Sequence, residues 1–233
     1  MSKHLKRLSA LSFWKIPKKG LKWVVKPAPG PHPLKECIPL LIIVRDILNL
    51  ANSAKESKKI IKRGEIFVDG KVRKNHKFPV GLFDVISIPR INKDYRVVIN
   101  RKGLKLIEIE KEEANKKLCK IIGKDLVKKG KIQLHLHDGK NILVDNDEYS
   151  THDSLLIELP SLKIIQHIKL KKENLGIVFR GKNKGLIAKV SDIKKGGMLE
   201  KWKVILNVNG KRIVTLMDYF FVIGKTKPLI KVK

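Results

Sequence analysis

The chain has 233 residues, of which 42% are hydrophobic, and its 52 Lys and Arg against 22 Asp and Glu give a formal charge of +30. The apolar fraction excludes a disordered tail, and so large a positive charge favours a polyanionic partner, with nucleic acid ahead of an anionic membrane surface. The two cysteines, Cys37 and Cys119, have no CxxC spacing, so we expect a reducing, cytoplasmic environment and no thiol-bound metal.

The positive charge is distributed unevenly along the chain. Residues 1–44 carry nine Lys or Arg and one acid, residues 45–105 sixteen and six, and residues 171–233 sixteen and four. Residues 106–170 carry eleven of each sign. This pattern predicts three basic modules that contact one polyanion, with a neutral module acting mainly as a spacer.

The N-terminal segment is predicted to be irregular because prolines interrupt it repeatedly, most densely in "PAPGPHP". It lacks the apolar core of a secretory signal, and the longest fully apolar run, residues 40–44, is too short to span a bilayer. Trp14 and Trp23 alternate with lysines. Two interpretations stay open: the indoles stack on RNA bases, or they hold the segment against the body of the protein.

From Pro39 the apolar spacing becomes helical, and a second helix is predicted to begin at Ser53. Ser53 and Glu56 have the spacing of a capping box, and Gly64 is suited to end the helix. Four lysines at 55, 58, 59 and 62 fall on one stripe of this helix. A stripe of this kind is often only a solvated face, but here cations continue into the next element.

That next element is a predicted hairpin with Asp69-Gly70 as its two-residue turn, followed by a strand at residues 85–88. Two helices followed by "RGEIFVDGKVRK" resemble the αL RNA-binding module of several ribosomal proteins, pseudouridine synthases and tyrosyl-tRNA synthetases. The resemblance implies that the second helix and the hairpin contact the RNA backbone. Such phosphate contacts supply affinity and carry little sequence information.

The middle of the chain reads as strands around turns at Lys102-Gly103 and Asp138-Gly139, with "KEEANKKLCKII" predicted as a short helix. His135 and His137 lie two apart, but no third ligand stands at a suitable spacing, so we predict polar strand histidines and no metal site. The clustered acids Glu108, Glu110, Glu112 and Glu113 are interpreted as a solvated edge.

The last module contains "LGIVFRGKNKGLIAKV", in which a Gly-rich basic loop joins two strands. It resembles a KOW motif, found in small SH3-like barrels that bind RNA or ribosomal partners. It departs from that motif at Arg180 and Ala188, where glycine is usual.

The order of short motifs along the whole chain is the most specific signal. "HLKRL", "GPH", "IPL", "VDGKVR", "FPVGLFDVISI", "LHDGKNIL" and "YFFVIG" occur in sequence. Together they resemble the archaeal and eukaryotic small-subunit ribosomal proteins of the S4e family, although Leu11 stands where the family has Pro. The resemblance implies an α+β multi-domain protein: a basic N-terminal arm (1–42), an αL domain (43–95), a central β-barrel-like domain (96–170) and a KOW SH3-like barrel (171–233).

The family resemblance also implies a structural role in the cytoplasmic ribosome. The expected partners are small-subunit rRNA and neighbouring small-subunit proteins, with no membrane, small-molecule substrate, cofactor, metal or catalytic residue. The predicted RNA contacts are His4, Lys6, Arg7, Trp14, Lys18, Lys19, Lys22, Arg45, Lys55, Lys58, Lys59, Lys62, Arg63, Lys71, Arg73, Lys74, His76, Arg180, Lys182, Asn183 and Lys184.

Three other functions are alternatives for a chain with this composition. An RNA-modifying enzyme needs a catalytic domain, and the sequence has no Walker A, GxSxG, HExxH or Cys–His constellation. A membrane-surface protein usually needs a basic amphipathic helix with large apolar residues, which we do not find. A KOW-containing transcription factor would be distinguished by co-purification with RNA polymerase.

Overall fold

β-Strands make up most of the regular structure in the computed structural model, which describes residues 4–127, 130–197, 200–208 and 210–232. The chain divides into two compact units. The first comprises residues 1–98 and 102–115, and the second comprises residues 99–101 and 116–233. The fold is therefore mixed α and β with few helices, and each unit has its own apolar core.

The first unit contains two-residue strands, one longer hairpin and three short helices. Its strands are β1 Leu5–Lys6, β2 Trp23–Val24, β3 Ile38–Pro39, β4 Phe67–Val68, β5 Lys71–Val72, β6 Pro79–Val80, β7 Val85–Ile88, β8 Lys93–Asn100 and β9 Gly103–Ile109. Its helices are α1 Leu40–Ile42, which continues as a π-helical turn at Ile43–Ile47, α2 Ala54–Lys62 and α3 Lys111–Ala114.

The strands of the first unit form three small sheets. β1 pairs with β2, β3 pairs with β6, and the remaining strands form a sheet in the order β5-β4-β7-β8-β9. The apolar run Leu40–Val44 is fully buried beneath α2, which supplies Ile61 to the same core. This core fixes the position of α2 and leaves its opposite face in solvent.

The second unit consists of two five-stranded antiparallel sheets. Their strands are β10 Lys116–Leu126, β11 Ile132–Leu136, β12 Asn141–Val144, β13 Ser154–Glu158, β14 Ile164–Ile168, β15 Leu175–Val178, β16 Ile187–Lys194, β17 Lys203–Val208, β18 Lys211–Leu216 and β19 Phe220–Gly224. The sheet orders are β12-β11-β10-β13-β14 and β18-β17-β16-β15-β19. In the second sheet, four consecutive strands form a meander and β19 returns to pair with β15.

Buried Lys120 joins the two sheets of the second unit. Its Nζ donates to the backbone carbonyls of Met217, Asp218 and Phe220 at 2.9, 3.1 and 2.7 Å. All three ammonium donors are thereby used on one short segment that leads into β19. Burial is the main cause that lowers the pKa of Lys120 to about 7, and Arg180 lowers it further while Asp218 opposes the shift.

The short helix predicted from "KEEANKKLCKII" is wrong for much of its length. The helix expected over residues 111–122 ends at Ala114, and the rest of that stretch belongs to β10. β10 lies between β11 and β13, so both of its edges are hydrogen-bonded. Pairing with two neighbours outweighs the favourable helix propensity of the Lys and Leu residues in this stretch.

Candidate nucleic-acid interface

Helix α2 is built so that one face is buried and the other is cationic. The Ser53 hydroxyl accepts from the Glu56 N–H at 3.2 Å, and the Glu56 carboxylate accepts from the Asn52 N–H at 3.1 Å. The predicted cap is confirmed, with the difference that Glu56 reaches Asn52 instead of Ser53. Ser57 and Ile61 are buried, which leaves the lysines exposed. The exposed residues are Lys55, Lys58, Lys59 and Lys62.

The hairpin is held directly against the end of α2. Gly64 has φ +80°, and a Cβ there would lie 3.1 Å from Val72 Cγ1 and 3.5 Å from Lys74 Cε. Asp69 and Gly70 both have positive φ, as the predicted two-residue turn requires. The Asp69 carboxylate also accepts from the Val85 N–H at 3.0 Å. The hairpin therefore has a fixed position beside the lysine stripe.

The half-buried ring of His76 shows that the loop after the hairpin shares the electrostatic environment of α2. Burial lowers the pKa of His76, and the charges of Lys58, Lys77 and Lys62 lower it further. Cations from the helix and from the loop thus act on the same imidazole. We call this surface, defined by Lys55, Lys58, Lys59, Lys62, Lys71, Lys74 and His76, the helix–hairpin surface.

Few acidic side chains lie close enough to neutralise the positive charge of this surface. Within the described part of the chain, none of its six lysines forms an ion pair. Nearby, Arg63 lies 3.8 Å from Glu65, which also contacts Arg90 at 3.3 Å. A cluster of unpaired cations repels itself and is stabilised by a polyanion that neutralises it.

Arg73 is held differently from the lysines. Its guanidinium stacks on the Phe78 ring at 4.4 Å, and its buried Nε has no hydrogen-bond partner among the described residues. A guanidinium that is already oriented by an aromatic ring loses less conformational freedom when it binds a phosphate.

Two predicted contacts in the N-terminal segment are instead structural anchors. Trp14 is fully buried, and its indole N–H donates to the Cys37 carbonyl at 2.8 Å. Arg7 is 6% exposed and donates to the Pro17 carbonyl at 3.0 Å. Trp14 has no free face for a base, which leaves the anchoring interpretation for this residue. Lys18 also donates inward, to the Ala10 carbonyl at 2.9 Å.

Trp23, unlike Trp14, lies at the surface of the segment. It is 48% exposed, with the His4 ring 5.3 Å away and Lys22 Nζ 5.4 Å from its centroid. Both tryptophans lie among lysines in the sequence, so composition could not distinguish the buried one from the exposed one. Lys6 and Lys19 are exposed in the same segment.

Arg45, another predicted contact, has its positive charge neutralised by the neighbouring acid Asp46. Its guanidinium donates to both carboxylate oxygens of Asp46, and both side chains are 16% exposed. Little of its charge is therefore available to a partner.

The basic loop of the second unit lies between β15 and β16. Gly181 and Gly185 have φ near +80°, and a Cβ on Gly185 would lie 2.4 Å from the backbone carbon of Asn100. Arg180 and Ala188 do not need positive φ, so the departures from the KOW pattern are tolerated. Arg180 and Lys182 are exposed, and Asn183 and Lys184 are half-buried. Arg180 also packs over Phe179 at 5.2 Å.

The histidines considered as a metal pair have separate environments. His135 bonds Asp125 and Asn141 at 2.8 and 2.9 Å, which raises its pKa, whereas the His137 ring packs edge-on against Phe221. His137, Cys119 and Asp138 have donor atoms within 4.8 Å of one another.

The Asp138 carboxylate in that group is already neutralised by lysines. It binds buried Lys117 at 2.7 Å and Lys140 at 3.1 Å. Burial alone would raise the pKa of Asp138, but Lys117, His137 and Lys140 hold it well below its ordinary value. The arrangement is therefore explained as a buried ion pair.

One member of the acidic cluster, Glu113, has a side chain that is 36% exposed and also pairs with an internal cation. Glu113 binds fully buried Arg96 at 2.6 Å. Glu108 fits the surface interpretation better, since it is exposed and pairs with Lys93 at 3.3 Å.

Over the residues that the structure describes, no helix has the length and hydropathy needed to cross a bilayer.

Three family models match successive parts of the chain. They are the RS4NT (NUC023) domain at residues 1–35, the S4 domain at residues 39–86 and Ribosomal family S4e at residues 91–164. The helix–hairpin surface falls within the S4 domain match.

Curated relatives and a solved structure agree with these matches. Small ribosomal subunit protein eS4 of Methanocaldococcus jannaschii is 45% identical over 98% of this chain and 97% of its own length. The eS4 protein of Staphylothermus marinus is 47% identical, covering 98% of this chain and 95% of its own. The crystal structure of 30S ribosomal protein S4e from Thermoplasma acidophilum has a TM-score of 0.70 and 30% identity, and covers 82% of this chain and 96% of that one.

Proposed function

The chain belongs to the S4e family of ribosomal proteins, and from that premise we propose that it is a structural component of the small ribosomal subunit that binds and stabilises folded rRNA. The family is structural and not enzymatic. The proposed location is the cytoplasmic ribosome, and the proposed partners are small-subunit rRNA and neighbouring small-subunit proteins.

The observation that carries the proposal is the helix–hairpin surface. Its lysines are exposed, lack ion pairs within the described part of the chain, and lie in the S4 domain match. Lysines on a rigid helix and hairpin neutralise phosphates and release their counterions, which makes binding strong at low salt and steeply salt-dependent. Specificity would come from the shape of the folded RNA.

We infer finer features of the same role. Residues 43–95 would act as an αL module, and residues 171–233 as an SH3-like KOW barrel. The meander of β15 to β18, with β19 returning to β15, supports the second inference. Residues 1–42 would act as an arm, with Trp23, His4 and Lys22 as the group that meets RNA, and residues 96–170 as the neutral β domain.

A charge-reversal experiment tests the proposed function. We would compare the wild-type chain, Lys58→Glu with Lys62→Glu, and the control Lys111→Glu with Lys163→Glu for binding to archaeal small-subunit rRNA across a salt series. Lys111 and Lys163 are exposed and lie outside the helix–hairpin surface, so the control makes the same change in net charge. The helix variant should bind more weakly and have a salt slope shallower by about 1.5, since each lost phosphate contact removes ~0.7–0.9.

Two results would contradict the proposal. One is equal weakening by the helix variant and its control, which would indicate a non-specific effect of net charge. The other is wild-type binding to small-subunit rRNA no tighter than to an unrelated RNA of equal length.

A further inference from the structure

The second unit contains a cavity to which the family resemblance assigns no function. Its volume is about 850 Å³, within the range of ~300–1,000 Å³ typical of sites for small ligands. Segments before β13, after β14, at the end of β16 and on both sides of the β17–β18 hairpin line it. All of them belong to residues 116–233.

The lining of this cavity is mainly basic. Lys169, Lys171, Lys195 and Lys201 line it, against two aspartates. Asp153 is 3% exposed and is already used by His167 at 2.8 Å and by the N–H groups of Ser150 and Leu170 at 3.1 and 2.8 Å. The four lysines outnumber the two aspartates of the lining, and Asp218 lies 3.5 Å from Lys201. The cavity therefore favours an anion.

An aromatic ring lies at the edge of the same cavity. Trp202 is 42% exposed, and Lys195 Nζ lies 5.6 Å from its ring centroid. An exposed indole beside ammonium groups has the composition of a nucleotide site, because the base stacks on the ring and the lysines hold the phosphate. An acidic peptide would use the lysines but would gain little from the indole.

His152 provides an independent sign of a binding site. It adopts φ +72°, which is unfavourable for a residue with a side chain, and its buried Nδ1 has no hydrogen-bond partner among the described residues. Its Nε2 lies 3.9 Å from the Asp218 carboxylate. Strained backbone conformations cluster at functional sites, and an unpaired buried polar atom in a native structure needs an explanation, which a binding site would supply. Burial, and then Lys120, lower the pKa of His152, which favours the neutral form of its ring.

We propose that this cavity holds a single unstacked RNA nucleotide, with its base on Trp202 and its phosphate between Lys171 and Lys195. This inference rests on the proposed rRNA binding and adds a second mode to it: the helix–hairpin surface contacts backbone phosphates, whereas the cavity takes one base out of its stack. Unstacked bases of loops and bulges are the parts of folded RNA that proteins bind in this way.

Tryptophan fluorescence tests the proposal directly. In the full-length Trp23→Phe variant the remaining indoles are Trp14, which is fully buried, and Trp202, so quenching by stacking reports on Trp202. A single-stranded oligoribonucleotide should quench it saturably, and a duplex with the same number of phosphates should not. Adding Trp202→Leu should weaken binding of a labelled single strand about tenfold, as expected for the loss of one base–aromatic stack.

A second pair of variants covers the possibility that Trp202→Leu perturbs folding. Lys171→Gln, in the cavity, should weaken single-strand binding more than Lys163→Gln, an exposed lysine outside it. Equal quenching by duplex, or full displacement of the oligonucleotide by an equally charged polyglutamate, would overturn the proposal. A third result would overturn the nucleotide site alone: the α2 charge reversals weaken binding to rRNA, but the cavity variants do not. The proposed function would then still hold.

Discussion

Trp14 and Trp23 show how far two identical residues in similar sequence contexts can diverge. Trp14 is buried with its N–H bonded to Cys37, whereas Trp23 is 48% exposed beside His4 and Lys22. We expect Trp14→Ala to lower the free energy of unfolding by about 3–5 kcal/mol, because it opens a large cavity and leaves a buried carbonyl unpaired. Trp23→Ala should change stability by less than ~1 kcal/mol and weaken rRNA binding severalfold.

Urea denaturation and rRNA titration of both variants check this division of roles. A destabilised Trp23→Ala with normal RNA binding would show that the two residues have been assigned the wrong way round.

Lys120 gives a prediction about pH. Its ordinary pKa is 10.5, and in the folded chain the pKa is lowered to about 7, mainly by burial. Between these values the unfolded chain holds a proton that the folded chain has released, so this group makes the protein more stable as pH rises, by up to ~1.4 kcal/mol per pH unit. The gain is absent below pH ~7, where both states are protonated, and complete above the unfolded pKa.

The variant Lys120→Met removes this titration and leaves three backbone carbonyls without their donor. It should be less stable than the wild type, and the difference in free energy of unfolding should widen between pH ~7 and ~9.5. Lys163→Met, at an exposed site, should give a constant difference over that range. Denaturation midpoints for the Lys120 variant that run parallel to the wild type would rule out the lowered pKa.

Among the structural elements, those specified by neighbouring residues were predictable from sequence. The Ser53 cap, the Asp69-Gly70 turn and the hairpin around Asp138-Gly139 all form as expected, because each depends on residues within a few positions of one another. The strand identity of residues 116–120 depends on pairing with β13, more than thirty residues later, and no local pattern indicates it.

The same difference between local and distant contacts decides which parts of the candidate site could be predicted. The lysine stripe of α2 could be predicted from helical spacing alone. The burial of Arg7 and Trp14 and the cavity at Trp202 depend on side-chain packing or on contacts between distant segments, and no local pattern indicates them.

Gly181 and Gly185, in the loop between β15 and β16, have the same backbone conformation but different surroundings, so we predict different losses of stability when each is replaced by alanine. Both have φ near +80°, but a Cβ on Gly185 would meet the Asn100 backbone at 2.4 Å, whereas one on Gly181 would meet the Tyr219 ring at 3.4 Å. Gly181→Ala should cost about 1–2 kcal/mol from strain, and Gly185→Ala more, because backbone atoms must also move. Thermal denaturation of the two variants gives the comparison, and equal costs would mean that the close approach at Gly185 is relieved freely.

At the scale of the whole molecule, the charge distribution separates cations that are bound inside the fold from exposed cations that are available to a polyanion. Lys117, Lys120 and Arg96 are buried and bound to internal acceptors. Among the described residues, the exposed lysines of α2 and exposed Lys182 of the β15–β16 loop form no ion pair. Total charge therefore overstates the RNA-binding capacity, and the salt dependence of binding measures the part that contacts phosphate.

If both units contact the same RNA, their contributions to that salt dependence should add. Lys182 is exposed in the β15–β16 loop, so Lys182→Glu should lower the salt slope by ~0.7–0.9, and combining it with Lys58→Glu and Lys62→Glu should lower it by the sum of the separate effects. The measurement is the slope of log K against log salt for the wild type, each variant and the combination. A slope unchanged by Lys182→Glu would confine binding to the first unit. A combined effect well below the sum would mean that the two surfaces bind alternative sites and not one RNA together.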